Sequence, residues 1–239
     1  MLIADMHYDF KQKLNKVDSQ KYRNLLIQET DWKLNEAMEV FIKTIAEPRF
    51  SNSGLGVEGN ERIIDDLRAV VVEKYQATIS RFDNRSYTIA LPANYWFLLN
   101  ADADGSKGTC SGRNLKCIQR IHDEQPEESP FDISSFEWEE TNYRYYQNGI
   151  RFFTDGTFTI DNVYLDYILR PPYMHYAAGV SGGSYNTPSG TTLTGTQDCI
   201  FSNSDSICRE IVDIAVLITT GDLQMSDYQV KAAKLKMND

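Results

Sequence analysis

Arg170-Pro171-Pro172 is the feature that most limits how this chain can fold. Proline has no N–H to give to a ladder, so a strand that reaches residue 169 must leave its sheet there. Back from that point to Val70, segments of β-branched and aromatic residues are broken by Asp, Asn, Gly and Pro. This pattern predicts strands over 70–80, 87–91, 95–101, 115–122, 143–153, 157–160 and 163–169. Asp155-Gly156 has the composition of a hairpin turn between Phe153 and Thr157. Residues 102–112 read as a polar hairpin tip, and 124–130 as an acidic loop containing proline. The 14 tyrosines suit half-buried strands and protein interfaces.

Helical patterns flank this run. A short helix is predicted over 3–16, and Ser19 offers an N-cap for a second over 20–46, which Pro48 stops. Leu34, Met38, Phe41 and Ile45 recur at helical spacing, Ala37 and Ile42 widen the stripe, and Lys33, Glu36, Glu39 and Lys43 occupy the other face. At 1.5 Å per residue that helix would span roughly 40 Å. A glycine-rich linker over 51–60 and a short helix over 61–67 lead into the strands. Beyond the prolines, 177–197 is Gly, Ser and Thr with little to bury, which predicts a mobile loop. A very apolar helix over 206–221 follows, with Ile207, Ile211, Ile214 and Ile218 on one face and Gly221 as its C-terminal stop. The tail 227–239, with Lys231, Lys234 and Lys236, is helix-capable without a strong apolar stripe, and the arm 222–239 is expected to reach a neighbour or the portal.

The expected fold is therefore α+β. The long N-terminal and C-terminal helices pack together, because each stripe needs cover, and a central antiparallel β-sandwich or barrel is inserted between them. The expected divisions are 1–69 (N-terminal helical part), 70–172 (β body), 173–205 (mobile loop) and 206–239 (C-terminal helix and tail).

The formal net charge is −10, and no basic run exists. Holding a phosphate backbone requires clustered Lys and Arg, so tight binding to DNA or to an anionic membrane is not expected. A wall past which DNA slides without sticking is compatible with this charge. Residues 1–10 have neither the basic segment nor the apolar core of a secretory leader, and no run approaches a membrane span.

The motifs that suggest chemistry lack their context. Gly54-Leu55-Gly56-Val57-Glu58-Gly59 matches a dinucleotide fingerprint, but a helix and a proline precede it where a strand is required. Gly179-Val180-Ser181-Gly182-Gly183 matches a nucleophile elbow, yet His7, His122 and His175 all lie upstream of it and low-complexity sequence follows. Cys110, Cys117 and His122 have the wrong gap for a tight zinc site and no evident fourth ligand. Asp102, Asp104 and Gly105 start like a calcium loop, but Ser106 and Lys107 follow and no closing Glu is present. Asp65/Asp66 and Glu139/Glu140 read as solvated faces rather than acid–base pairs. Asn84-Arg85-Ser86 is an acceptor sequon that matters only on secretion. The expectation is no enzyme, with no catalytic, cofactor-binding or metal residues and no cofactor. Cys110/Cys117 and Cys199/Cys208 form two distant pairs. Either could close a disulfide, and the sequence does not decide between thiol and disulfide.

Several stretches carry a resemblance. The N-terminal part has Leu14-Asn15-Lys16-Val17-Asp18-Ser19, Tyr22-Arg23-Asn24-Leu25, Asp31-Trp32-Lys33-Leu34-Asn35-Glu36-Ala37 and Glu47-Pro48-Arg49. The middle has Leu91-Pro92-Ala93-Asn94-Tyr95. The end has Tyr167-Ile168-Leu169-Arg170-Pro171-Pro172, Cys199 and Glu210-Ile211-Val212-Asp213-Ile214-Ala215-Val216. Together they resemble the head-to-tail ring (connector) proteins of tailed bacteriophages, particularly those of crAss-like phages. The resemblance spans most of the chain, though the 177–197 loop is longer and richer in Gly and Thr than the family leads one to expect.

The resemblance implies a structural virion protein, synthesised in the bacterial host cytoplasm. It implies a homo-oligomeric ring, taken as twelvefold, beneath the portal protein, extending the DNA channel and docking the next tail or ring protein, with no membrane contact. Closed rings need two different faces that meet around the circle. Two other readings stay open. One is a carbohydrate- or ligand-binding β module of a tail or surface protein, in which Trp96 and Trp138 would be a sugar platform, against the expectation that both are core residues. The other is an enzyme with an unrecognised acidic site.

Overall fold

The computed structural model describes residues 1–15, 25–46, 67–120, 133–147, 149–187 and 189–222. The chain forms two compact units. One is Val70–Arg170; the other joins Met1–Ala69 to Pro171–Asp239.

The first unit is a single curled sheet. Its strands are β1 (Val71–Ala77), β2 (Ile79–Arg81), β3 (Ser86–Ala90), β4 (Tyr95–Lys107), β5 (Cys110–Gln119), β6 (Glu140–Tyr146), β7 (Gly149–Phe153) and β8 (Thr159–Leu169). They lie in the order β1-β8-β4-β5-β6-β7-β3-β2. The two outer strands, β1 and β2, are the two halves of one run broken only at Thr78. The sheet curls over a core built of Tyr87, Ile89, Leu115, Ile150, Phe152, Val163, Leu165 and Tyr167, among others. The amide of Leu169 donates to the Val70 carbonyl at 2.8 Å, so the chain enters and leaves this unit side by side.

The expected fold class is corrected by this sheet. The protein is mostly β, and the sheet is mixed rather than an antiparallel sandwich or barrel. β5 and β6 run parallel, with Lys116 opposite Glu140 and Gln119 opposite Tyr143. A parallel pair needs a crossover, and the connection from 120 to 139 is long enough to supply it. Asp155-Gly156 is not a hairpin turn either. β7 pairs with β3 and β6, while β8 pairs with β1 and β4, so this bend carries the chain from one region of the sheet to another. Gly156 takes a left-handed φ of 85°, and Asp155 accepts the Thr157 amide at 2.7 Å. The stretch 143–153, read as one strand, falls within the hairpin of β6 and β7. The expected polar tip at 102–112 is mostly ladder, since β4 continues to Lys107 and β5 begins at Cys110.

The second unit holds the helices. They are α1 (Ile3–Asn15), α2 (Ile27–Ala46) and α3 (Asp205–Asp222). Ile3, Met6, Phe10 and Leu14 make the buried stripe of α1. Leu34, Ala37, Met38, Phe41 and Ile42 make that of α2, with Ile45 half-buried. Ile207, Ile211 and Val212 are buried along α3, which runs through Gly221 instead of stopping before it. Among the described residues the helical part is thus three helices rather than two long ones, and α1 and α2 each lie against α3.

The segment expected as a loop, 173–205, carries secondary structure. β9 (His175–Tyr176) pairs with β12 (Thr196–Gln197), and β10 (Ser184–Asn186) pairs with β11 (Thr192–Thr194). A 3-10 turn at Ala177–Gly179 follows β9. The expected helix start at 20, the linker 51–60 with its glycine motif, most of the 61–67 helix, the acidic loop 124–130, His122 and nearly all of the tail 222–239 lie outside the described residues.

Candidate functional site

Asp31 organises the helical unit. It sits on the buried face of α2 and is 0 % exposed. Its Oδ1 accepts the Nε2–H of His7 on α1 at 2.7 Å, and Tyr185 of β10 donates its hydroxyl to Oδ2 at 2.6 Å. The Tyr176 amide of β9 donates to both oxygens, at 3.2 and 3.1 Å. One turn further along α2, Asn35 accepts the Met174 amide at 2.9 Å and donates to the Met174 carbonyl at 2.7 Å. Asp31 and Asn35 therefore pin the 174–185 stretch to α2 with charged and bidentate hydrogen bonds. A buried carboxylate is tolerable only when it is satisfied in this way. The Nδ1 atom of His7 has no partner.

Above this network lies an open groove of about 460 Å³, lined by Leu25, Trp32, Tyr173 and Tyr185 with Glu29 and Lys33 among its polar residues. Trp32 is 51 % exposed here. Tyr185 belongs to both features, since its ring lines the groove and its hydroxyl meets Asp31. Burial first, and then the hydrogen bond to Asp31, push the Tyr185 phenol upward. Burial raises Tyr173 as well. Both rings are held neutral, and the groove offers aromatic surface rather than a base. Its lining pairs no nucleophile with an activating histidine.

On the strand unit, β4 alternates Ala101, Ala103 and Gly105 inward with Asp102, Asp104 and Ser106 outward. A Cβ at Gly105 would lie 2.7 Å from a Leu115 methyl and 3.1 Å from the Thr159 carbonyl oxygen, so a larger residue there would force the buried Leu115 to shift. Along the pairing with β8, Asn100 faces Asp166, Asp102 faces Tyr164 and Asp104 faces Asn162. The outer face thus bears a row of carboxylates, with Lys116 of β5 across from Asp102. Asp166 also accepts the Lys74 amide at 2.7 Å, which holds the β1 bulge where Lys74 has a φ of 51°.

The two tryptophans proposed as a platform are differently placed. Trp96 is half-buried at an irregularity of β4 and stacks on Phe97 with ring centroids 4.9 Å apart. Trp138 is 80 % exposed, so the expectation that both are core residues is corrected. Its turn is held by ion pairs on either side, Glu137 to Lys107 at 2.6 Å and Glu139 to Arg113 at 2.7 Å.

No model of a known protein family matches the chain, and no curated protein matches it. Function therefore has to be argued from the site.

All four cysteines are free thiols. Cys110 is exposed, and Cys117 further along β5 is largely covered, its thiol pushed well up by burial. Among the described residues, no three His, Cys, Asp or Glu side chains are grouped to hold a metal ion. No described helix is long and apolar enough to cross a membrane. The buried Asp31–Tyr185–His7 hub and the groove beside it escaped the sequence reading. The available signal was Asp31 and Asn35 at i and i+4, one turn apart within the apolar stripe.

Proposed function

We propose that the chain is a structural virion protein that assembles into a ring of a phage head-to-tail connector, next to the portal. The observation that carries this reading is Trp138, exposed at 80 % on a turn braced by two ion pairs. Trp is rarely presented this way on a monomer, and it dominates the energy of interfaces that cover it. A second exposed tryptophan, Trp32, stands at the groove of the other unit, so the chain presents two different apolar features. Two unlike contact faces are what a closed ring of identical copies uses. The carboxylate row on β4 and β8 suits a wall facing DNA, because repulsion keeps the polymer from adhering. The resemblance described above points the same way.

Electron microscopy of intact particles, with this chain placed by side-chain density, tests the reading, together with native mass spectrometry of the purified protein. A ring of copies beneath the portal is the expected result. Monomers in solution and no copy in mature particles would end it.

The exposure of Trp138 also favours a second reading, a sugar-binding module. Against it, Trp96 is half-buried and stacked on Phe97. Clear hits on a glycan array, abolished by Trp138→Ala, would move the assignment to that class.

A further inference from the structure

We propose that Trp138 of one copy seats in the aromatic groove of the next copy, as the repeated contact of the ring. The inference rests on the ring reading and names the two surfaces that meet. Those surfaces are complementary in shape and chemistry. An indole exposed at 80 % keeps a large apolar face in water, and covering it stabilises a contact most where the pocket is desolvated. The groove, about 460 Å³, falls within the roughly 300–1,000 Å³ of sites that take a compact ligand. Leu25, Trp32, Tyr173 and Tyr185 give it apolar walls on which a ring can lie offset or edge-on. Gln28 and Asn186 bring side-chain carbonyls able to accept the indole N–H.

The charges around them match as well. Trp138 stands between two carboxylates, Glu137 and Glu139, paired with Lys107 of β4 and Arg113 of β5. In both pairs the carboxylate is the more exposed member, at 63 % against 34 % and 54 % against 42 %, so the turn presents negative charge outward. The groove opens at the first turn of α2, where Leu25, Gln28 and Glu29 line it and the helix dipole is positive. Glu29 is turned back onto the Leu26 amide at 2.8 Å, and Lys33 adds a positive charge one turn further on. One seated tryptophan removes about 150–250 Å² from water, well short of the roughly 1,200 Å² of a stable interface, so Trp138 is the anchor of a larger contact. Tryptophan and groove lie on different units of the chain. A copy that gives its tryptophan to one neighbour still offers its groove to another, which is the head-to-tail arrangement that closes into a ring.

The test uses the full-length chain and two variants, read by native mass spectrometry and sedimentation velocity over a concentration series. Trp138→Ala removes the tryptophan, and Asn186→Trp fills the groove from an exposed position of β10. Wild type is expected to assemble, and each variant alone to associate at least about 30-fold more weakly, the loss that marks a central tryptophan at an interface. Mixed together, the two variants should give a one-to-one dimer and nothing larger. The groove of Trp138→Ala is intact and takes the tryptophan of Asn186→Trp, while the reverse contact lacks both halves. Rings of Trp138→Ala that form as readily as wild type would overturn this contact and leave the ring reading standing. A mixture with no dimer, or with larger species, would also overturn it. Wild-type monomers at every concentration would overturn the contact and count against the ring too. Trp138 is exposed, so Trp138→Ala keeps the fold and decides the matter even if Asn186→Trp misfolds.

Discussion

Removing the Asp31 carboxylate should cost the helical unit more than any other single polar change among the described residues. Asp31→Ala strands three buried donors at once: His7 Nε2–H, the Tyr185 hydroxyl and the Tyr176 amide. Each stranded buried donor costs about 1–3 kcal/mol. Partial relaxation and entry of water recover part of the sum, so the expected loss is about 4 kcal/mol, the scale found when one partner of a buried pair is removed. Asp31→Asn keeps the shape and one accepting oxygen and should lose about 2 kcal/mol. Tyr185→Phe should lose about 1 kcal/mol, and the Asp31→Ala/Tyr185→Phe double variant less than the sum of the singles, because the second change removes a donor already stranded. The assay can be confined to the right unit. Of the three tryptophans, Trp32 alone belongs to the helical unit, so urea unfolding followed by fluorescence in a Trp96→Phe/Trp138→Phe background reports on it. Hydrogen exchange at the Tyr176 amide gives a local check, since that proton should lose protection in Asp31→Ala before global unfolding. A loss below about 1 kcal/mol with unchanged exchange would refute the claim that Asp31 anchors the 174–185 stretch.

Three further outcomes are expected. Gly149→Ala would place a Cβ 2.1 Å from the Ile89 carbonyl oxygen and force β3 away from β7, so a loss of at least about 3 kcal/mol in thermal unfolding is expected; a neutral result would contradict that pairing. Tyr143, Tyr173 and Tyr185 are all raised above the ordinary value of 10.0 by burial, so folding favours their neutral phenols. Stability is therefore level below about pH 10 and falls above it as the unfolded chain ionises first, seen as a dropping urea midpoint; a midpoint unchanged to about pH 11 would argue against buried neutral rings. If the chain forms the proposed ring, Asp102→Lys with Asp104→Lys should leave its assembly intact while slowing genome packaging or ejection in a plaque and DNA-release assay; unchanged delivery would argue against a channel-wall role for the carboxylate row.

Parts of this fold were legible because their signal was local. The α2 stripe of Leu34, Met38, Phe41 and Ile42 follows from spacing alone, and the prolines after Arg170 end β8 as proline must. The ladder was less legible where inward residues are small. Asp102-Ala103-Asp104-Gly105-Ser106 reads as a polar tip by composition, yet with Ala101 it is strict period-two alternation whose inward members are small, with Leu115 packed against Gly105. Parallel pairing of β5 with β6 had no local signal at all, since strand direction is set by where a long connection delivers the chain.

The same distinction explains the 173–197 stretch and the candidate site. A segment of Gly, Ser and Thr buries little of its own surface, so composition predicts a loop. What orders the part from 174 to 185 is supplied from elsewhere in the sequence. Asp31 and Asn35 provide acceptors and donors inside an otherwise apolar helix face, and Met174, Tyr176 and Tyr185 answer them across more than a hundred residues. A polar residue in an apolar stripe costs free energy unless a distant partner satisfies it. Its presence at i and i+4 therefore amounts to a statement that such a partner exists, although it does not say which. The groove above Asp31 follows from the same contact, because Tyr185 is placed in its lining by the hydroxyl it gives to that carboxylate. If the helical unit meets a neighbour through Trp32 and this groove, the contact surface depends on one buried aspartate, and Asp31→Asn should weaken assembly in proportion to its effect on stability. A variant that folds less stably yet assembles normally would separate the two and place the contact elsewhere.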